Sequence, residues 1–210
     1  MPFIYDPRLH GSGYRDTVTG KIISYQEVRT QLERMLRASS DATGALSDLV
    51  SDKIIDATAW REALRQEIKD NYITQYLLGI GGREMMTAED WGSVGGMIAD
   101  QYRYLEGFYA EVAAGKLSRG QIDARSRMYI NSSREAYERA LARASERRGK
   151  RQQRWMLSPA EHCEDCVALA SEGWKPATEP FVSPSTGQIA VPGNGATQCL
   201  TNCKCHVEYR

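Results

Sequence analysis

The sequence predicts a mainly α-helical protein: an elongated helical bundle or set of hairpins, followed by a small cysteine-rich, zinc-ribbon-like module. The first observation is that the 210-residue chain has no proline between Arg8 and Ser158, and a long proline-free stretch permits helices. The second is the recurrence of apolar residues at helical spacing within that stretch. The third is that all five cysteines lie in the proline-containing tail, between Cys163 and Cys205.

These observations divide the chain into an extended N-terminal arm (1–20), a helical body (21–154) and a C-terminal cysteine-rich module (155–210). The arm has no helical periodicity, yet it is more apolar than a solvated tail needs to be. It is therefore expected to fold back onto its own body or to dock on a neighbouring subunit. Its apolar residues are Phe3, Ile4, Tyr5, Leu9 and Tyr14.

Three capping boxes predict where helices of the body begin. In each, a hydroxyl residue stands three positions before an acid or amide, so the two side chains can bond N–H groups that the first helical turn leaves unpaired. One helix is expected over 46–78, stopped by the glycines at 79–82; another carries an apolar stripe from Trp91 to Val112; a third covers 119–148. The boxes are Ser24–Glu27, Thr87–Asp90 and Ser118–Gln121.

Glycines interrupt the apolar stripe of the helix that follows Thr87. Gly92, Gly95, Gly96 and Gly107 each lower helix stability by about 1 kcal/mol relative to alanine. They indicate either the close approach of another backbone or a bend.

Composition excludes several classes of protein. The chain has 27 basic and 27 acidic residues, so no overall charge draws it to nucleic acid or to an anionic membrane. No apolar run approaches the roughly 20 residues needed to cross a bilayer, and the first residues lack the apolar core of a signal peptide. A secreted, membrane-spanning or histone-like protein is not expected.

Cysteine spacing in the tail predicts a metal site. Two thiolates three residues apart can reach one tetrahedral ion, and a distant second pair can complete it. We expect one structural zinc ion held by four of five candidates, with His162 or His206 as possible substitutes. Disulfides and free thiols are the alternatives. The candidate ligands are Cys163, Cys166, Cys199, Cys203 and Cys205.

A module of this size commonly needs a metal ion or disulfides for stability, because it has few large apolar side chains to bury. A further capping box at Ser158–Glu161, with Pro159 in the first helical position, predicts a helix that runs through Glu172 and carries the first cysteine pair.

No catalytic arrangement can be argued from the residues. There is no glycine-rich phosphate loop and no Ser-His-Asp set, and the only acids beside the cysteines are Glu164 and Asp165. A catalytic zinc needs an open coordination position and a nearby base. The acids that could be paired in the body fit the solvated side of a helix better: Asp52, Asp56, Glu62 and Glu67.

Neutrality of the whole chain hides a basic segment. Residues 134–154 hold eight basic residues against three acids, a net charge of +5. The densest part lies between Arg147 and Arg154, at the junction with the module. It predicts either a solvated helix face and C-terminal cap or contact with nucleic acid or an acidic protein surface. The alternative function is therefore a zinc-ribbon nucleic-acid-binding protein that uses this cluster.

Several motifs occur in a characteristic order in the second half of the chain: 125–137 on a helix, then Trp155, then His162-Cys-Glu-Asp-Cys166, and finally Asn202-Cys-Lys-Cys-His206. In this respect residues 120–210 resemble the minor head, or head-morphogenesis, proteins of tailed bacteriophages, the phage Mu F-like family. The ordered cysteine elements carry the resemblance. The first hundred residues have no counterpart that we can name.

The resemblance implies a non-enzymatic virion structural protein that acts in capsid or head–tail assembly and is made in the host bacterial cytoplasm. Its implied partners are other virion proteins (portal, major capsid, connector or tail proteins) and the packaged DNA, with no membrane and with multimeric assembly in the particle. Many family members have His at the position of Cys199, which suits a shared metal ligand there.

Overall fold

A computed structural model describes residues 3–6, 9 and 14–210 of the chain. The side chains of Phe3, Ile4 and Tyr5 lie outside that description, so the predicted docking of this part of the arm stays a prediction. The described part is mainly helical, as the sequence predicts.

Six helices and six short strands follow one another along the described residues. The helices are α1 (Tyr25–Ser51), α2 (Ala57–Ile80), α3 (Ala88–Ala113), α4 (Arg119–Asn131), α5 (Arg134–Arg147) and α6 (Glu164–Ser171). The strands are β1 (Phe3–Tyr5), β2 (Tyr14–Asp16), β3 (Ile22–Ile23), β4 (Gln152–Met156), β5 (Lys175–Pro176) and β6 (His206–Tyr209).

All three predicted capping boxes are formed. Ser24, Thr87 and Ser118 precede α1, α3 and α4, and each side chain accepts a hydrogen bond from the N–H three residues later. The acid or amide at that position bonds back to the backbone of the capping residue. These helix starts are local events, because every group involved lies within one turn.

The prediction of one helix over 46–78 is wrong. The chain forms two helices, α1 and α2, which are separated at residues 52–56. Lys53 has a positive φ of 57°, and Asp56 caps α2 by accepting a hydrogen bond from the N–H of Ala59 at 2.7 Å. The carboxylate offers the first turn of α2 an acceptor, so a new helix starts there.

The single helix predicted over 119–148 is also divided. Between α4 and α5, the hydroxyls of Ser132 and Ser133 donate to the carbonyls of Tyr129 and Ile130. Tyr72 of α2 donates to the Ser132 hydroxyl at 2.9 Å. Serine hydroxyls that bond the preceding turn compete with the helical pattern, and a buried partner on α2 holds Ser132 in this arrangement.

The N-terminal strands form an antiparallel sheet in the order β1-β2-β3, which crosses the predicted boundary of the arm at residue 20. Tyr14 of β2 is buried and its hydroxyl donates to the carbonyl of Leu78 on α2. Ile23 of β3 is buried in the same apolar cluster. This end of the arm therefore packs on its own body.

Helix α2 lies at the centre of the body. It contacts α1, α3, α4 and α5, and its side chains Trp60, Leu64 and Ile68 are fully buried. One apolar cluster joins α2 to α3 and to small residues of α5, and a second joins α1 to α4, α5 and the N-terminal sheet. Burial on nearly every side of α2 is the main source of stability of the body.

Two glycines near the end of α2 have different roles. Gly81 adopts the left-handed conformation (φ 109°) that ends the helix, as predicted. Gly79, inside the last turn, lies against α5: a Cβ atom at this position would clash with the carbonyl of Tyr137 and come within 2.8 Å of the Ala140 Cβ. The backbones of α2 and α5 approach closely here, at a glycine that the sequence marks only as part of a helix stop.

Gly79→Ala is expected to destabilise the protein by about 3 kcal/mol, because the added methyl meets backbone atoms that cannot move without separating α2 from α5. Urea unfolding followed by helical circular dichroism measures the change. The matched control is Gly95→Ala in α3, where no atom lies within 4 Å and alanine should add about 1 kcal/mol. Equal stability of the two variants would show that the close contact does not matter.

The glycines of α3 mark neither a close approach of another backbone nor a bend, the two alternatives that the sequence indicates. No atom lies within 4 Å of a Cβ built on Gly92, Gly95, Gly96 or Gly107. The helix continues through all four from Ala88 to Ala113. They occupy its exposed side.

The C-terminal module is built on a second antiparallel sheet, in the order β5-β4-β6. Strand β4 begins at Gln152, so it spans the predicted boundary at 154/155. Trp155 of β4 is buried against Phe181, with ring centroids 5.4 Å apart. This sheet, together with α6 and the cysteines, forms a third apolar cluster.

Candidate metal centre

The first cysteine pair is positioned by the start of α6. This helix begins at Glu164, so the predicted start at Ser158–Glu161 is wrong. Cys163 is the residue that precedes the helix, and Cys166 lies in its first turn. At the predicted start, the Ser158 carbonyl is hydrogen-bonded to the imidazole Nε2 of His162 at 2.6 Å, and no helix begins there. Although burial opposes the change, the N–H of Cys166 at the helix start, with the Cys199 thiol, lowers the pKa of Cys163.

The second group of cysteines arrives on a loop and on the strand that follows it. Cys199 leads into a short 3₁₀ turn at Leu200–Asn202, where Leu200 has a positive φ of 51°. Cys203 ends this turn, and Cys205 directly precedes β6. This turn reverses the chain direction. It brings Cys199, 36 residues after Cys163, next to Cys163.

All five predicted cysteines meet in one cluster. The Sγ atom of Cys199 lies 3.4 Å from that of Cys163 and 3.6 Å from that of Cys166, which is itself 3.6 Å from Cys203. Two groups of three sulfurs, each within 4.8 Å of one another, share Cys166: one adds Cys163 and Cys199, the other adds Cys203 and Cys205. The cluster could hold a metal ion.

Three of the sulfur separations match those of a tetrahedral site. Four sulfurs at the usual Zn–S distance of about 2.3 Å are separated by about 3.8 Å, close to the 3.4 to 3.6 Å between Cys163 and Cys199, Cys166 and Cys199, and Cys166 and Cys203. A disulfide requires about 2.05 Å, and all five cysteines are free thiols. Cys166, Cys203 and Cys205 are buried, whereas Cys163 and Cys199 are half-buried.

Because the sulfurs lie close together, the pKa values of neighbouring thiols shift in opposite directions. The hydrogen bonds that Cys205 receives from Cys166 and Cys203 lower its pKa to about 4. Hydrogen bonds with Cys203 and Cys205, together with burial, raise the pKa of Cys166. Without a cation, therefore, one thiolate is stabilised at the expense of its neighbours. A bound divalent cation would remove that conflict, because it stabilises every thiolate that it contacts.

The two candidate histidines differ in position. His162 Nδ1 lies 3.5 Å from the sulfur of Cys205, at the edge of the cluster. His206 points to the opposite side of the chain, with Nδ1 3.5 Å from the Ser158 hydroxyl and Nε2 3.7 Å from Glu208. Burial lowers the pKa of His206 to about 4. The geometry brings only His162 to the sulfurs.

Asp165 holds the two halves of the centre together. Its carboxylate, buried on α6, accepts hydrogen bonds from the hydroxyls of Ser183 and Ser185 and from the N–H groups of Ser185 and Gln198. These donors lower its pKa although burial opposes the change. The sequence singles out Asp165 only as an acid beside the cysteines. Its fixed, fully bonded position suits a residue that positions the Cys199 loop.

The basic segment 134–154 is largely engaged within the chain. Arg147 lies 2.7 Å from the buried Asp90, and Arg154 lies 2.7 Å from Glu208. Lys150 donates to the carbonyl of Tyr209 at 3.0 Å. These contacts fasten the end of α5 to α3 and to the module, so they occupy side chains that nucleic-acid binding would need.

Comparison with protein-family models, with curated proteins and with solved structures gives no match. In the described part of the chain, no helix is both long enough and apolar enough to cross a membrane.

Proposed function

We propose that the cluster binds one structural zinc ion through Cys163, Cys166, Cys199 and Cys203. The observation that carries the proposal is that Cys163, Cys166 and Cys199 form one group of close sulfurs and that Cys203 lies 3.6 Å from Cys166 of that group. Sulfur-rich, closed sites favour zinc among the common divalent ions. Cys205 would then be a neighbour that donates to or accepts from the bound thiolates.

Elemental analysis of protein purified under reducing conditions tests the metal, its stoichiometry and its ligands. One zinc per chain is expected. Cys205→Ser should keep the zinc, whereas Cys203→Ser should release it. A folded, reduced protein with no zinc would refute the site, and the opposite behaviour of the two variants would exchange their assignments.

We propose further that the protein is not an enzyme. Four thiolates complete the coordination of zinc, so no position stays open for water or substrate. Asp165, the buried acid of the centre, already accepts four hydrogen bonds and faces the Cys199 loop. The metal would stabilise the module and so fix its surfaces for binding other proteins.

We propose that the chain is a structural component of a phage virion, a minor head or head-morphogenesis protein that acts through protein–protein contacts. The ordered cysteine elements that resemble this family form one centre, which supports a common role for them. Portal, major capsid, connector or tail proteins are the proposed partners, in a multimeric particle assembled in the host cytoplasm. Packaged DNA is a further proposed contact.

Mass spectrometry of gradient-purified phage particles tests this assignment. Peptides of this chain should be present in intact particles or in proheads at a fixed ratio to the portal protein. Their absence from both, when the portal and major capsid proteins are detected, would overturn the virion assignment. The nucleic-acid alternative is weaker because Arg147, Lys150 and Arg154 have partners within the chain. A duplex-DNA titration that shows strong, salt-sensitive affinity would revive it.

A further inference from the structure

A large cleft separates α1 from the cysteine-rich module. Its volume is about 810 Å³, within the range of sites that enclose a ligand of drug size or a short peptide. One face of α1 forms the first wall, α5 forms the floor, and the chain around the end of β4 and the start of β6 forms the second wall. Cys205 of the sulfur cluster lies in its lining, so the opening borders the metal centre.

Three cations at the cleft have no ion pair or hydrogen bond to other described residues: Arg34 and Arg37 on α1, and Lys204 on the opposite wall. All three are exposed. Arg134, at the edge of the same cleft, is by contrast paired with Glu33 at 2.7 Å. Unpaired cations from two walls that face one opening create a local positive potential, which favours an anionic ligand.

Acids also line the cleft, but cations outnumber them by one: the lining holds five cations and four acids. Asp41 on α1 and Glu138 on α5 are two of the acids, and Glu138 accepts a hydrogen bond from the N–H of Val207 at 3.1 Å. Glu208 is paired with Arg154 and Glu33 with Arg134. Arg29, the fifth cation of the lining, donates to Gln26 on its own helix at 2.9 Å.

A second, independent observation points to a ligand. The Nε2 atom of His206 is buried and has no hydrogen-bond partner among the described residues, although His206 lines the cleft. The His206 residue is 6% exposed. Buried polar atoms are nearly always satisfied in folded proteins. Nε2 lies 3.7 Å from the Glu208 carboxylate, beyond hydrogen-bond distance. With Nδ1 directed at the Ser158 hydroxyl, Nε2 can therefore still donate to an acceptor that enters from the cleft.

Apolar groups complete the lining. Leu157 and Met156 lie beside the cations on the module wall, and Leu157 is exposed although it is large and apolar. A free inorganic anion would not use these groups. A polypeptide that carries both carboxylates and apolar side chains would use them.

We propose that this cleft binds an acidic polypeptide segment of a partner protein. Carboxylates of the segment contact Arg34, Arg37 and Lys204, and one acceptor reaches the Nε2 atom of His206. A side-chain carboxylate or a carbonyl of a polypeptide can enter the cleft as far as the buried Nε2 atom. The phosphates of a nucleic-acid duplex lie on the outside of a rigid helix that is too wide to enter. The proposal does not require the partner to be a virion protein.

Titration of the zinc-loaded, full-length protein with a blocked hexa-glutamate peptide tests the proposal by ¹⁵N NMR, with blocked hexa-glutamine as the matched peptide. The glutamate peptide should shift the amides of α1 residues 34–37, Lys204 and the imidazole Nε2 of His206, and the glutamine peptide should not. The affinity should fall as salt is raised.

Charge reversal locates the binding. Arg34→Glu combined with Arg37→Glu should weaken hexa-glutamate binding at least tenfold. The control pair, Lys69→Glu with Lys116→Glu, makes the same change in net charge at exposed positions away from the cleft and should change the affinity less than twofold. The unaltered spectrum of Trp155 in both proteins would show that the module stays folded.

Three results would overturn the proposal. The first is the absence of shifts in the cleft at millimolar hexa-glutamate and low salt. The second is an equal loss of affinity in the two charge-reversal pairs, which would indicate attraction by net charge alone. The third is tighter binding of a 12-base-pair DNA duplex than of the peptide at the same residues, which would assign the cleft to nucleic acid.

Discussion

Removal of the proposed zinc ion from the reduced protein is expected to unfold the C-terminal module and to leave the helical body folded. The apolar cluster of the module is small, and five of its members or close neighbours are the cysteines themselves. Structural zinc contributes about 10 to 16 kcal/mol of binding free energy in small metal-dependent folds. The two clusters of the body contain no cysteine, so they do not depend on the metal.

Hydrogen exchange read by mass spectrometry measures this loss. After chelation, β4, α6 and β6 should exchange at rates close to those of an unfolded chain, while α2 and α3 stay protected. Helix α5 should lose part of its protection, because the N–H of Val207 donates to Glu138 across the junction at 3.1 Å. Full protection of β4 and β6 in a metal-free, reduced sample would refute a structural role of the metal.

Cys166→Ser should reproduce the effect of chelation more completely than substitution at Cys205. Cys166 is fully buried and belongs to both groups of three sulfurs, so its loss leaves neither group intact. The matched control is Val167→Ser, on the next residue of the same helix, which is 52% exposed. That variant removes apolar volume outside the cluster and should keep the zinc.

The sequence predicts those features that depend on neighbouring residues. The capping boxes at Ser24, Thr87 and Ser118 form because all of their groups lie within one helical turn. The meeting of the cysteines is predicted by their spacing, because two pairs of thiols are what a tetrahedral ion would use. Asp56 is a signal of the same local kind: its carboxylate caps α2, within the range 46–78 over which a single helix is predicted.

Features that depend on distant residues could not be predicted in this way. The break at Ser132 involves Tyr72, 60 residues earlier, and serine occurs in many uninterrupted helices. Gly79 resembles any helix-ending glycine until α5 is placed against it. Asp165 acquires its role only when the loop around Ser185 and Gln198 folds over α6. In each case a tertiary partner decides the role of an ordinary residue.

Asp90→Ala is expected to destabilise the protein by about 3 to 5 kcal/mol, since it leaves buried partners unpaired. As part of the Thr87 capping box, Asp90 bonds the backbone of Thr87 at 2.9 Å. The same carboxylate, fully buried, accepts from the Tyr76 hydroxyl of α2 at 3.0 Å and from Arg147 of α5 at 2.7 Å. One side chain thus joins three helices, and its removal affects all of them.

The matched control is Asp100→Ala on the same helix. Asp100 pairs with Arg103 in an exposed contact, and exposed pairs contribute about 0 to 1 kcal/mol. Urea unfolding of both variants gives the two free energies. A loss below about 1 kcal/mol for Asp90→Ala would mean that the junction of α2, α3 and α5 does not depend on this carboxylate.

The pH dependence of stability separates the charge of Asp90 from its hydrogen bonds. Burial raises the pKa of this carboxyl, but the bonds from Thr87, Arg147 and Tyr76 outweigh burial and lower the pKa to about 2. A carboxyl with a lowered folded-state pKa contributes stability that is complete above its unfolded pKa and is lost as the pH falls towards the folded value. The advantage of the natural protein over Asp90→Asn should therefore shrink by about 2 kcal/mol between pH 5 and pH 2. A constant difference over that range would show that the carboxylate acts by geometry alone, because asparagine keeps the shape but has no charge to lose.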